Sequence, residues 1–110
     1  MNIKQGYIYL VKYNPSQNGI KKIRPSLIIQ NNYLNEVLDT IITIPLSSLK
    51  KKRPDYQIKI QAPFLKKESY ILTELITSIT KNRIKKELGK IPQSDFEKVI
   101  QTLEYIVQKT

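Results

Sequence analysis

A chain of 110 residues with 40% hydrophobic content suits one folded domain with a modest core, and its composition excludes a disordered tail-like protein. It contains no cysteine and no histidine, which excludes a disulfide framework, thiolate or imidazole metal sites, and imidazole acid–base chemistry. The formal net charge of +10 favours an anionic partner such as nucleic acid, an acidic protein segment or a membrane surface, although a Lys-, Ile- and Asn-rich codon bias would produce the same excess.

The opening Met1-Asn2-Ile3-Lys4-Gln5-Gly6 lacks the apolar run of a signal peptide. No apolar run approaches the roughly 20 residues of a membrane span. A cytoplasmic protein with no membrane association is therefore expected. Gly6 to Tyr13 reads as a first strand, rich in aromatic and β-branched residues. Asn14-Pro15-Ser16-Gln17-Asn18-Gly19 carries turn chemistry, and the loop runs on through Lys21 and Lys22. Arg24 and Pro25 then lead into a second strand, Ser26 to Gln30. Residues 31 to 39 read equally as helical turns or as a loop. Thr40 to Leu46 is a third strand, with Pro45 marking a bulge or an edge because it has no N–H for a ladder.

Lys50-Lys51-Lys52-Arg53-Pro54 forms a basic loop. Tyr56, Ile58 and Ile60 alternate with polar residues at strand period. Ser69 to Leu75 is a further strand with Glu74 near its end, continued past a kink by Ile76 to Ile79. Lys81 to Lys90 reads as a turn and a small strand. Ser94 and Glu97 stand at capping-box spacing, with Ser94 as the N-cap. Phe96, Val99, Ile100, Leu103, Ile106 and Val107 follow at helical spacing, a stripe that packs on the sheet. Short strands followed by one helix predict an α+β fold in a single domain, residues 1–110: a small SH3-like β-barrel with a C-terminal α-helix.

Chemistry concentrates at three places. Arg24 follows a basic loop and precedes a proline, so it is held extended at the rim of a strand, where a guanidinium can fork onto phosphate oxygens. Ser47 and Ser48 follow the third strand; their hydroxyls can bond a phosphate or simply cap a turn. Glu74 is a lone carboxylate that can pair with Arg24 or remain an exposed strand end.

Gly6-x-Ile8, then Asn14-Pro15-Ser16, then Arg24-Pro25-Ser26-Leu27-Ile28-Ile29-Gln30-Asn31 resemble the opening of MazF/PemK-type toxins, with their GDI…DPT…RP(A/V)(L/V)(V/I)(V/I) pattern. Ile42 to Ser48 resembles the family strand that ends in a Thr-Ser or Thr-Ala pair. Ser69 to Ile79 resembles its SVVLLDQIRTI segment, and Leu88-Gly89-Lys90-Ile91-Pro92 with the helix resembles LGRLSPED…V…AL. The similarity runs in order over nearly the whole chain.

The resemblance implies the toxin half of a type II toxin–antitoxin pair, an endoribonuclease that cuts single-stranded mRNA. It implies a homodimer whose groove takes RNA, and a cognate antitoxin with an acidic C-terminal segment. Matched to the family, the catalytic set is Arg24, Ser47 in the place of a threonine, and Glu74 in the place of the acidic residue of the LDQ segment. The expected RNA contacts are Tyr13, stacking on unpaired bases, with Lys21, Lys22, Ser48, Lys50, Lys51, Lys52, Arg53 and Thr77. No metal and no cofactor is expected: RNA carries its own nucleophile in the 2′-OH. Three departures stand out. Tyr7 replaces an aspartate, Lys21 and Lys22 occupy a shortened loop without a glutamate, and Thr77 replaces an arginine. The alternative functions are a CcdB-like toxin that inhibits a protein such as gyrase, or a non-catalytic RNA-binding SH3-like module.

Overall fold

The computed structural model describes residues 1–14, 23–48 and 56–110, and its centre is a three-strand antiparallel ladder. Strands β1 (Tyr7–Lys12), β2 (Ile23–Ile28) and β3 (Thr40–Ser47) pair so that Ile8 faces Leu27 and Leu27 faces Ile44. These β-branched and leucine side chains share one face of the pleat, and the residues between them share the other. The chain continues through α1 (Asn32–Val37), β4 (Gln57–Ile60), β5 (Ser69–Leu72), β6 (Thr77–Thr80), β7 (Ile84–Lys90) and α2 (Gln93–Ile106). The sheet has seven strands in the order β4-β5-β3-β2-β1-β7, with β6 paired to β3 beside that path. Every described pairing is antiparallel, and none joins the two ends of the path.

Apolar clusters lie on both faces. One gathers Ile8, Leu27, Ile44, Leu46, Ile71 and Val99 under α2, with Phe96 and Leu103 packed against it. The other holds Tyr9, Val11, Tyr13, Ile28, Ile41 and Ile79. Gly6, at φ 84°, makes the turn into β1 that few side chains tolerate. Its N–H donates to the Ile28 carbonyl and its own carbonyl accepts from Ile91 N–H. Residues 31–39 resolve in favour of a helix because Asn31 caps it, its side chain accepting from Leu34 N–H at 2.9 Å.

The structure corrects several expected boundaries. β2 starts at Ile23, so Arg24 and Pro25 lie inside the strand rather than before it. Pro25 is tolerated there because the β2–β3 pairs cover only Ser26 to Ile28. Pro45 is on neither an edge strand nor a chain end. It sits where the outer partner of β3 changes, from β6 at Thr40–Thr43 to β5 at Leu46–Ser47, a gap in that ladder that needs no N–H. The kink before β6 is a 3-10 turn, Thr73–Leu75, and it carries Glu74.

The helix α2 starts earlier than the capping box predicts. Pro92 is the N-cap, and its carbonyl accepts from the N–H groups of Asp95 and Phe96, each at 3.1 Å. Ser94 is thus already in the first turn, where it makes no cap bond. The last part of the stripe also stays open: Val107 is 78% exposed and Ile106 37%. The cap reassignment has a direct test by urea unfolding. Ser94→Ala should change stability by less than about 0.5 kcal/mol, as an ordinary surface change does; a loss of about 1 kcal/mol would restore Ser94 as the N-cap.

Candidate active site

Arg24 is a strand residue, paired with Val11 of β1 and half-buried. Its Nη1 donates to the Leu46 carbonyl at 3.3 Å, which ties the guanidinium to the end of β3. The pairs Ile28–Thr43 and Ser26–Pro45 set the register between β2 and β3. Continued by two residues, that register places Arg24 across from Ser47. Ser47 in turn faces Tyr70 on β5 and is buried. Side chains alternate along a strand, so Arg24, Ser26, Thr43, Ser47 and Tyr70 belong to one face of the sheet. Thr43 also pairs with Thr77, which puts Thr77 on that face.

A buried hydroxyl cluster supports this face. The Tyr13 hydroxyl lies 2.7 Å from Ser26 Oγ and 3.1 Å from Thr43 Oγ1. Ser26 Oγ also reaches the Arg24 carbonyl at 3.4 Å. Burial pushes the Tyr13 phenol pKa up, while the bonds to Ser26 and Thr43 and the Arg24 charge pull the other way. Tyr13 is 0% exposed, which corrects its expected role: a ring sealed in the core has no face to offer an RNA base. Its place at the end of the expected first strand, Gly6 to Tyr13, gave no sign of which way the ring turns.

Glu74 is not paired with Arg24. Its Oε2 accepts from Gln57 Nε2 at 2.9 Å, and it lines a separate hollow with Tyr56, Tyr105 and Ile106. Gln57 thus engages this carboxylate, and no described ion pair joins it to Arg24. Ser48 is exposed and, with Arg24, borders a cleft of about 630 Å³. That cleft also takes in Lys66, Lys67, Lys86 and Ser69, which the sequence reading passed over. They come from the segment before β5, from the start of β5 and from β7, far from Arg24 in sequence, and the fold brings them beside it. Lys21, Lys22, Lys50, Lys51, Lys52 and Arg53 fall outside the described residues. In sequence, residues 15–22 precede Ile23 and residues 49–55 follow Ser48.

An arginine fixed across from a serine, at the end of two basic segments, is suited to binding a phosphodiester and stabilising charge on it. Among the described residues no group of three or more acidic, histidine or cysteine side chains is placed to hold a metal ion. No described helix is long and apolar enough to cross a membrane.

Comparisons with known proteins bear on the family and the fold. A family model described as "PemK-like, MazF-like toxin of type II toxin-antitoxin system" matches residues 4–107. An endoribonuclease MazF of Staphylococcus saprophyticus is 32% identical over 101 residues, covering 88% of this chain and 84% of that protein. An endoribonuclease MazF of Staphylococcus epidermidis is 31% identical over 93% of this chain and 88% of its own length. Among solved structures, MazF from Deinococcus radiodurans superposes with a TM-score of 0.86 at 18% identity over 99% of both chains. A MazE–MazF structure from the same organism gives 0.82 at 18% identity over the full length of both. At these identities the structures speak for the fold.

The hydroxyl cluster generates a prediction with a pH signature. Tyr13→Phe leaves Ser26 and Thr43 without their shared partner and should cost about 1–3 kcal/mol at neutral pH. A phenol whose pKa is raised on folding contributes stability that is complete below its unfolded value of 10.0 and is lost as pH rises through the folded value. Urea unfolding of both proteins should therefore show the gap between them narrowing above pH 10. A gap that stays constant into strongly alkaline solution would contradict the buried, bonded phenol.

Proposed function

The chain belongs to the PemK-like, MazF-like toxin family of type II toxin–antitoxin systems, and on that premise we propose that it is a metal-independent endoribonuclease whose reaction is carried by Arg24 and Ser47. The observation that carries this reading is the placement of Arg24. Its guanidinium is anchored to the Leu46 carbonyl, and the β2–β3 register, continued two residues past Ser26, brings it towards Ser47. In the reaction, the 2′-oxygen of a ribose attacks the adjacent phosphorus, a new 2′-O–P bond forms, and the P–O5′ bond breaks. The 2′-OH proton passes to water, and the departing 5′-oxygen takes one up. Arg24 neutralises the non-bridging oxygens as negative charge grows on them, and Ser47 turns its hydroxyl to the same phosphate. Glu74 is given no step, because its carboxylate is engaged by Gln57 in another hollow.

In the same reading the curled sheet is the family's SH3-like barrel, and the working protein is a cytoplasmic homodimer. The net charge of +10 draws single-stranded RNA through counterion release. Lys21, Lys22 and the run Lys50 to Arg53 carry part of that charge and are assigned to RNA, with Ser48 and Thr77 as neutral contacts. Solved relatives include an endoribonuclease in complex with its cognate antitoxin and MazE–MazF structures. An antitoxin with an acidic C-terminal segment is the matching partner here, competing with RNA for the basic face. No observation favours a gyrase-directed toxin or a non-catalytic RNA-binding module.

The test is cleavage of single-stranded RNA by purified variants. Arg24→Ala should remain folded and lose about 100-fold or more in rate, the usual loss when one preorganised charge is removed. Ser47→Ala should also slow turnover, whereas Ser47→Thr should largely preserve it. Near-normal cleavage by folded Arg24→Ala, or equal damage from both serine changes, would overturn the assignment.

A further inference from the structure

The face that carries Ser47 is not the whole of the binding surface that Arg24 borders. The cleft on its other side has a floor of Leu10, Pro25, Phe64, Leu65 and Leu88. Its rim carries Lys66, Lys67 and Lys86, all exposed, and no carboxylate is among the described residues that line it. None of these three lysines is in a described ion pair; the carboxylates nearest in sequence, Glu68 and Glu87, are engaged by Lys59 at 3.3 Å and Lys4 at 3.1 Å. Neighbouring acids are thus drawn off to other lysines, and the rim keeps its full positive charge.

The floor is built to stay in place. Phe64 lies so close over Gly89 that a Cβ there would collide with the ring. The glycine lets Phe64 of the 61–68 segment press against β7, the strand that carries Lys86. Ser69 Oγ donates to the Lys67 carbonyl at 3.0 Å and holds the end of the same segment. An apolar slot with a cationic rim matches a nucleotide unit, whose base wants apolar contact and whose phosphate wants charge. A cleft of about 630 Å³ is within the usual size of small-ligand sites.

We propose that this cleft is a second subsite for single-stranded RNA: it takes a nucleotide flanking the scissile phosphate, with its base on the Phe64–Leu65–Leu88 floor and its phosphate on Lys66, Lys67 and Lys86. Arg24 joins the two surfaces, so a strand that fills the subsite is held in line with the phosphate at Ser47. This inference rests on RNA being the substrate, and its test reads binding rather than cutting.

The probe is a random-sequence pool of 2′-O-methyl RNA oligonucleotides, which cannot be cut because the nucleophile is blocked. Dissociation constants are measured over a range of salt for the wild type, for Lys66→Ala/Lys67→Ala/Lys86→Ala, and for a charge-matched control, Lys81→Ala/Lys85→Ala/Lys98→Ala. Each lost contact to a single strand removes about 0.7 from the slope of log K against log salt. The cleft variant should therefore lose about 2 units of slope and the control almost none. A pool carrying 4-thiouridine should photocross-link to residues 64–69 or 84–88. Equal slopes in the two triple variants, or cross-links confined to other segments, would overturn the subsite. A wild type that binds through the cleft but cuts no unmodified RNA would leave the subsite standing and overturn the endoribonuclease reading instead.

Discussion

A phenol hydroxyl is set in the middle of an apolar core, and the rest of the site depends on how it is satisfied. Buried without partners, such a group costs several kcal/mol on transfer to an environment that cannot hydrogen-bond it. Here Tyr13 bonds Ser26 and Thr43 at once, so the chain just past β1 is tied to both β2 and β3. A one-residue slip of either strand would turn Ser26 or Thr43 to the opposite face and strand the hydroxyl. The same register, continued two residues past Ser26, brings Arg24 towards Ser47. The polar core therefore contributes accuracy of position more than stability.

That accuracy matters because the proposed chemistry asks little else of the protein. RNA brings the nucleophile, and the chain lacks histidine and cysteine, so what remains is to hold one phosphate and stabilise charge on it. A guanidinium on a strand, tethered through Nη1 to the Leu46 carbonyl, loses less freedom on binding than one on a loop. The serine opposite keeps the hydroxyl of the threonine that the family pattern carries there. Attraction over longer range falls to lysines, many of them in segments next to Ile23 and Ser48 and others on the wall of the cleft beside Arg24.

The strands were legible in the sequence because β-branched and aromatic residues fall at period two, and the order of motifs identified the family. Side-chain direction at strand ends was not legible. Tyr13 is expected to stack on RNA bases, yet its ring enters the core, where its hydroxyl meets those of Ser26 and Thr43. Arg24 reads as a loop residue before a proline, but β1 pairs with it and extends β2 past Pro25. Glu74 reads as a strand end; the 3-10 turn redirects it towards Gln57. Ser94 with Glu97 spells a cap, but the Pro92 carbonyl captures the first helical N–H groups two residues earlier. Lys66, Lys67 and Lys86 carry no local pattern, since their meaning comes from the pairing of β1 with β7 and from the contact of Phe64 with Gly89.

In the proposed reaction a strand-held arginine lets RNA cut itself without a metal. The most direct measurement is mass spectrometry of the product ends after wild-type protein has cut an all-ribose RNA in the presence of EDTA. Cleavage should be undiminished, with a 2′,3′-cyclic phosphate on one fragment and a 5′-hydroxyl on the other. Fragments ending in a 3′-hydroxyl and a 5′-phosphate, or cleavage abolished by EDTA, would contradict that reaction.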